Sequence, residues 1–217
     1  DVLSSIRFLE NHSKVGEIIL LGHSEGCILV TAANARRPVD GLIFLSGAAE
    51  SIKDALIRQR QLVIDEILNE KGVRGKLARL LKLDQKIENQ AQKLTDKIMS
   101  SSDSVIKYQF QKINAKWFRE HFSYNVFEDL KKVTCPSLAI TGSKDIQATP
   151  ERVNDLPHLV DGPAATHIIE NMDHLLREVS GEIPVTQVVK MYKKNQDKPL
   201  HPELKGILSE WLTSVTA

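Results

Sequence analysis

The sequence predicts an α/β fold built on a mostly parallel sheet of about four strands, and three observations carry that expectation. Short aliphatic runs alternate with helical stripes over residues 1–50 and again over 126–217. A Gly-x-Ser-x-Gly turn, Gly22-His23-Ser24-Glu25-Gly26, stands between the first such run and an Ala-rich stretch. Between the two α/β-like parts, residues 51–125 show helical periodicity and no convincing strand.

Taken in order, Val2, Leu3, Ile6 and Leu9 fall at helical spacing and predict an amphipathic helix over 2–12. Residues 17–21 form a first strand. After the serine turn a helix runs to about Arg37, where Pro38 stops it. Residues 41–45, Gly-Leu-Ile-Phe-Leu, make a second strand. Successive helices and strands in this order imply parallel strands joined by crossovers.

Ile52, Leu56, Val63 and Ile67 then mark one helical stripe, and Leu83, Ile87, Ala91, Leu94 and Ile98 another, with Gly72 and Gly75 breaking them apart. A third short helix is expected over 103–119, carrying Tyr108, Phe110, Trp117 and Phe118. The segment 51–100 holds 11 basic and 7 acidic residues. Its cluster Lys71, Arg74, Lys76, Arg79 and Lys82 reads as a solvated helix face, or as a rim attracting anionic substrates.

Strand texture returns at 136–140. Thr149-Pro150-Glu151 is a helix start, with a capping hydroxyl and a first-turn proline. A fourth strand covers 166–170, a helix opens at Leu175, and 202–215 is a closing helix. The organisation is therefore a core part at 1–50, an all-helical insertion at 51–125, and a second core part at 126–217.

With 217 residues, 41% of them apolar and 26% charged, the chain can bury a substantial core. A net charge of +1 gives no general drive toward nucleic acid or anionic membrane. No apolar run reaches the roughly 18 residues of a membrane span. Only two cysteines occur, Cys27 and Cys135, each expected as a buried free thiol, which suits a reducing, cytoplasmic compartment. Neither belongs to a Cys-x-x-Cys pair, and the seven histidines are scattered, so no metal is expected. Walker-type and Gly-x-Gly-x-x-Gly loops do not occur, and no cofactor is expected.

A serine hydroxyl is a poor nucleophile near neutral pH and needs a base, which in turn needs an orienting acid. In open parallel sheets reactive groups gather beyond the carboxyl ends of strands. Asp145 follows the strand at 136–140, and His174 follows the strand at 166–170. With Ser24 they give the chain order Ser, Asp, His. Asp173 is a rival acid, but its place next to His174 leaves it poorly set to meet the far ring nitrogen. His167, inside a strand, is expected to be packed, and His23 to support the turn. His12, His121, His158 and His201 lack a comparable setting.

These segments resemble the C-terminal portion of an α/β-hydrolase. More narrowly, they look like the capped serine hydrolases grouped with serine aminopeptidases, monoacylglycerol lipases and related esterases. The likeness is carried by GHSEG, by PSLAITGSKDIQATP, by HIIENMDHLLRE, and by a helical insertion where such enzymes carry a cap. It implies Ser24 as nucleophile, Asp145 as acid, His174 as base and the backbone N–H of Glu25 as an oxyanion donor. A small-molecule ester is the implied substrate. An aminopeptidase-type reading would draw on Glu25, Asp65 or Glu66 to hold a substrate amine, and a third reading is a non-catalytic interaction module. Serine at position 24 argues against a dehalogenase, which would carry aspartate there. The resemblance also implies further strands ahead of the first helix, with a loop giving a second oxyanion N–H. The expectation is that this sequence belongs to a longer polypeptide, or that a second chain or a second copy covers the edge of strand 17–21.

Overall fold

The computed structural model describes residues 1–216. Helix α1 (Val2–Glu10) leads to β1 (Ile19–His23), α2 (Glu25–Asn34) and β2 (Gly41–Leu45). Three helices follow, α3 (Ile52–Asn69), α4 (Val73–Leu80) and α5 (Leu83–Ser100). A hairpin of β3 (Ile106–Tyr108) and β4 (Gln111–Ile113) precedes α6 (Ala115–Ser123) and α7 (Val126–Leu130). The chain continues through β5 (Ser137–Gly142), a 3₁₀ turn at Pro150–Asp155, and α8 (Leu156–Leu159). It then forms β6 (Ala164–Ile169), α9 (Val188–Asn195) and α10 (Pro202–Val215). Two compact units result. One gathers residues 1–51, 125–183 and those from 187 onward, the other 52–124 with 184–186.

The first unit carries a four-stranded sheet in the order β1-β2-β5-β6, parallel throughout. Its inner strands are apolar without alternation because both faces are covered. All of β2 and β5 is buried accordingly. Register aligns the strand ends: His23 lies opposite Leu45, Leu45 opposite Ile140, and Gly142 opposite Ile169. Everything that follows a strand therefore emerges along one edge of the sheet. Ile43, Leu45, Leu138, Ile140, Ile169 and Met172 form the core on one face, closed by Leu204 and Trp211 of α10. Arg37 ties α2 to the end of α1 through a two-pronged bond to Glu10, with Nε 2.6 Å from both carboxylate oxygens.

All four expected strands form, β2 at its expected limits and the other three with shifted ones. The first begins at Ile19, and just ahead of it the Ile18 amide donates to the Asp40 carboxylate at 2.7 Å while the Ile18 carbonyl accepts the Asp40 amide at 2.9 Å. Helix α2 ends at Asn34 rather than Arg37, and the Asn34 side chain accepts the Val39 amide beyond Pro38.

Three local expectations are overturned. Leu175 opens no helix. The Asp173 amide donates to the Arg177 carbonyl, and Leu176 takes a left-handed φ of 62°, so the chain folds into a tight loop. Thr149 does not cap the following turn with its hydroxyl, which donates instead to Glu50 Oε1 at 2.7 Å. His167 is exposed rather than packed, because β6 is an edge strand.

The second unit is mostly helical but not all-helical. Over 103–119 the expected helix gives way to the β3–β4 hairpin, with Ile106 opposite Ile113. Helix α6 starts only at Ala115, where the Asn114 side chain accepts the Trp117 amide. Ile98, Ile106 and Ala115 form this unit's small core with Leu94, Ile113 and Phe118. Gly72, at φ 88°, does separate the long helices, whereas Gly75 lies inside α4. Among the described residues no helix is long and apolar enough to cross a membrane.

Candidate active site

The serine turn begins with a backbone requirement. Ser24 adopts φ 56° and ψ −121°, a conformation that side-chain-bearing residues rarely tolerate. Its amide donates to the Leu45 carbonyl at 2.8 Å, which pins the turn to the end of β2. Gly22 makes the turn tight enough: a Cβ there would lie 2.3 Å from the Gly26 carbonyl oxygen. Gly26 has no such duty, since a Cβ on it would meet nothing within 4 Å. Glu25 is the first residue of α2, so its amide belongs to the first turn, ahead of the intrahelical ladder.

Three sequence-predicted side chains meet past the strand ends. His174 Nε2 is 3.0 Å from Ser24 Oγ, and His174 Nδ1 is 2.9 Å from Asp145 Oδ2 and 3.1 Å from Oδ1. The ring thus donates its Nδ1–H to the carboxylate and accepts the serine hydroxyl proton at Nε2. His174 and Asp145 are buried at 5% and 4% exposure, while Ser24 is half-buried and open to an incoming group. Asp145 Oδ1 also accepts the amides of Gln147 and Ala148 at 2.9 and 2.8 Å, which fixes the orientation of the carboxylate.

Asp173 is fully buried but faces the other way in its chemistry. Its Oδ1 accepts the Arg177 amide at 3.0 Å, closing the loop that carries His174. Burial raises its pKa. Cys27 lies beneath the serine turn, its Sγ–H donating to the Gly22 and Leu45 carbonyls at 3.3 Å. Burial pushes its thiol up to about 12, so it is an inert packing residue. Among the described residues no group of three or more His, Cys, Asp or Glu is set to hold a metal ion.

Two residues enter the site that spacing did not single out for it. His23 Nε2–H donates to the backbone carbonyl of His174 at 2.8 Å, with the two rings 5.0 Å apart. Its link thus reaches the base-bearing loop, beyond the turn it was expected to support. Burial lowers its pKa, against the opposing effect of that hydrogen bond. Glu50, buried just past β2, accepts both the amide and the hydroxyl of Thr149 and so anchors the loop on which Asp145 sits. A bond spanning 99 positions leaves no sequence signal. Asp65 and Glu66 are engaged inside the helical unit, Asp65 by Gln61 and Glu66 by Thr186. His12 and His158 lie on α1's trailing turn and on α8, and His201 precedes α10, none of them bonded to the Ser24 group.

No family model matches the chain. It is 24% identical over 206 residues to Esterase EstD of Thermotoga maritima, covering 94% of this chain and 45% of the relative. The chain thus spans about half the length of that curated relative. An α/β hydrolase from Penicillium sp. sh18, GrgF, superposes with a TM-score of 0.52 at 13% identity, over 99% of this chain and 68% of that one. A monoacylglycerol lipase of Paleococcus ferrophilus does so at 0.50 and 15%, over 99% and 74%. Identities this low speak to architecture, and the architecture shared by the parallel sheet, its serine turn and these neighbours is the α/β-hydrolase fold, to which this chain belongs.

Proposed function

We propose that the protein is a serine hydrolase that cleaves carboxylic esters of small molecules through an acyl-enzyme. The observation carrying this reading is the unbroken line of bonds from Ser24 Oγ through the His174 ring to the Asp145 carboxylate. His174 Nε2 takes the hydroxyl proton as Ser24 Oγ bonds to the ester carbonyl carbon. The amide of Glu25 receives the developing oxyanion, where one such donor contributes about 2.7–4 kcal/mol. The alcohol leaves with the proton held on His174. Water then attacks the acyl carbon, passes a proton to His174, and the carbon–Oγ bond breaks to release the acid and restore Ser24. Asp145 keeps the Nδ1–H tautomer and stabilises the imidazolium. The helical unit, inserted between β2 and β5, is proposed to select the acyl or alcohol part of the substrate.

A fluorophosphonate probe tests the reading directly. Native protein should be labelled at Ser24 and Ser24→Ala should not, with p-nitrophenyl ester turnover falling about 10⁴-fold or more in the variant. Absence of labelling in folded native protein sinks the proposal. Faster turnover of aminoacyl anilides than of the esters would move it to the peptidase reading.

A further inference from the structure

The loop that carries His174 is tied at its base and bare at its tip. At the base the Asp173 amide donates to the Arg177 carbonyl, and Asp173 Oδ1 accepts the Arg177 amide in return. The Leu176 amide donates back to the Asp173 carbonyl, and the Leu176 carbonyl accepts the His201 amide. Among the described residues, however, no backbone group bonds either the amide or the carbonyl of His174. One side chain does. His23 Nε2–H donates to that carbonyl at 2.8 Å. His23 is the last residue of β1, and the next residue is Ser24. The neighbour of the nucleophile therefore holds the backbone of the base, from 151 positions away in the chain.

The importance of this bond changes along the reaction. In the free protein the His174 ring has two side-chain holds, the Ser24 hydroxyl at Nε2 and the Asp145 carboxylate at Nδ1. Once an acyl group sits on Oγ, that oxygen has no hydrogen to give, and the ring keeps only Asp145. Yet this is when Nε2 must be in place. It takes a proton from water as the water oxygen bonds to the acyl carbon, and it returns a proton to Oγ as the carbon–Oγ bond breaks. A misplacement of about 1 Å can cost about 10²-fold in rate. A charged ring 5.0 Å from the imidazolium would oppose that step, and burial shifts His23 toward its neutral form. We propose that His23 is a positioning residue for deacylation, whose bond to the His174 carbonyl keeps the base over the acyl-enzyme after the serine bond is lost. This role rests on the acyl-enzyme reading of Ser24.

Single-turnover quench flow with p-nitrophenyl acetate, read by intact mass, follows formation and decay of the acetyl-enzyme separately. His23→Phe keeps a ring but no donor. It should slow decay about tenfold to a hundredfold, while acetylation and fluorophosphonate labelling of Ser24 stay within about threefold of native protein. His23→Gln, whose amide reaches the place of the imidazole Nε2, should restore decay to within about threefold. Should the Phe variant melt below the assay temperature, His23→Asn takes its place, because its shorter amide stands where Nδ1 was and does not reach the carbonyl. Equal losses in both half-reactions overturn the proposal, as does unchanged decay without the donor or failure of the folded Gln variant to restore it. Native protein that never forms the acetyl-enzyme overturns the hydrolase reading itself, and this role with it.

Discussion

Asp145 and Asp173 are both buried carboxylates near one imidazole, yet their surroundings give them different work. Asp145 accepts from the His174 Nδ1–H and two backbone amides, so both of its oxygens have donors. Asp173 holds one amide through Oδ1, and its Oδ2 has no partner among the described residues. Asp145→Asn should lower kcat about 10⁴-fold by spoiling the tautomer of the ring. Asp173→Asn should leave kcat within a few fold, because an amide oxygen still accepts the Arg177 amide. It should also raise the melting temperature at neutral pH. The folded pKa of Asp173 lies above its unfolded value of 3.8, so the ionised form costs stability as pH rises past that value, and the gain in Asn should fade in acid. Melting curves and steady-state rates of the two variants check both halves. His23 gives the opposite slope. Its folded pKa lies below 6.5, so as pH falls through that value the unfolded chain takes up a proton that the folded site resists. Stability should therefore drop as the pH falls below about 6.5. His23→Gln keeps a donor for the His174 carbonyl without titrating, and its melting temperature should fall less steeply; parallel curves would refute the assignment.

The serine turn shows how much an element can hide behind a pattern. Gly22 and Gly26 look equivalent in the motif, but only Gly22 is needed by the backbone, where a Cβ would collide with the Gly26 carbonyl. Gly22→Ala should destabilise by about 1–3 kcal/mol or more through forced displacement of the turn. Gly26→Ala, inside α2 with open space around it, should be neutral or gain up to about 1 kcal/mol of helix propensity. Denaturant unfolding of both variants separates them, and equal losses would refute the distinction. The strands, α10 and the three residues past the strand ends were legible because apolar runs and Gly-x-Ser-x-Gly are local signals. The β3–β4 hairpin was not. Its turn residues, Gln109 and Phe110, take φ of 47° and 64° without the Asn or Gly that usually announces such a turn. The loop at Leu175–Glu178 was hidden for a related reason. Its sequence reads as helix, but the Asp173 backbone and side chain claim both the carbonyl and the amide of Arg177. Glu50 and the carbonyl bond of His23 are tertiary facts that no window of sequence contains.

At the scale of the molecule, the sheet is finished on neither side in the same way. β6 borders it with an edge that includes polar Thr166 and His167. β1 is the other border, and among the described residues it pairs with β2 alone. Its sequence, Ile-Leu-Leu-Gly-His, has none of the charges or prolines that usually blunt an edge, and Leu21 is 51% exposed. Such an edge offers unpaired amides and carbonyls beside apolar side chains, which favours addition of another strand. We expect the chain studied alone to self-associate in a concentration-dependent way through β1, or to bind a separately supplied strand-forming segment there. Leu21→Lys places a charge on that edge while sparing the buried face of the sheet, and should shift sedimentation velocity profiles toward monomer with dissociation at least about tenfold easier. Far-UV circular dichroism should stay unchanged, because Leu21 is absent from the core formed with Leu204 and Trp211. A chain that remains monomeric to about 100 µM would show that the edge is already protected, and the expectation would then fail.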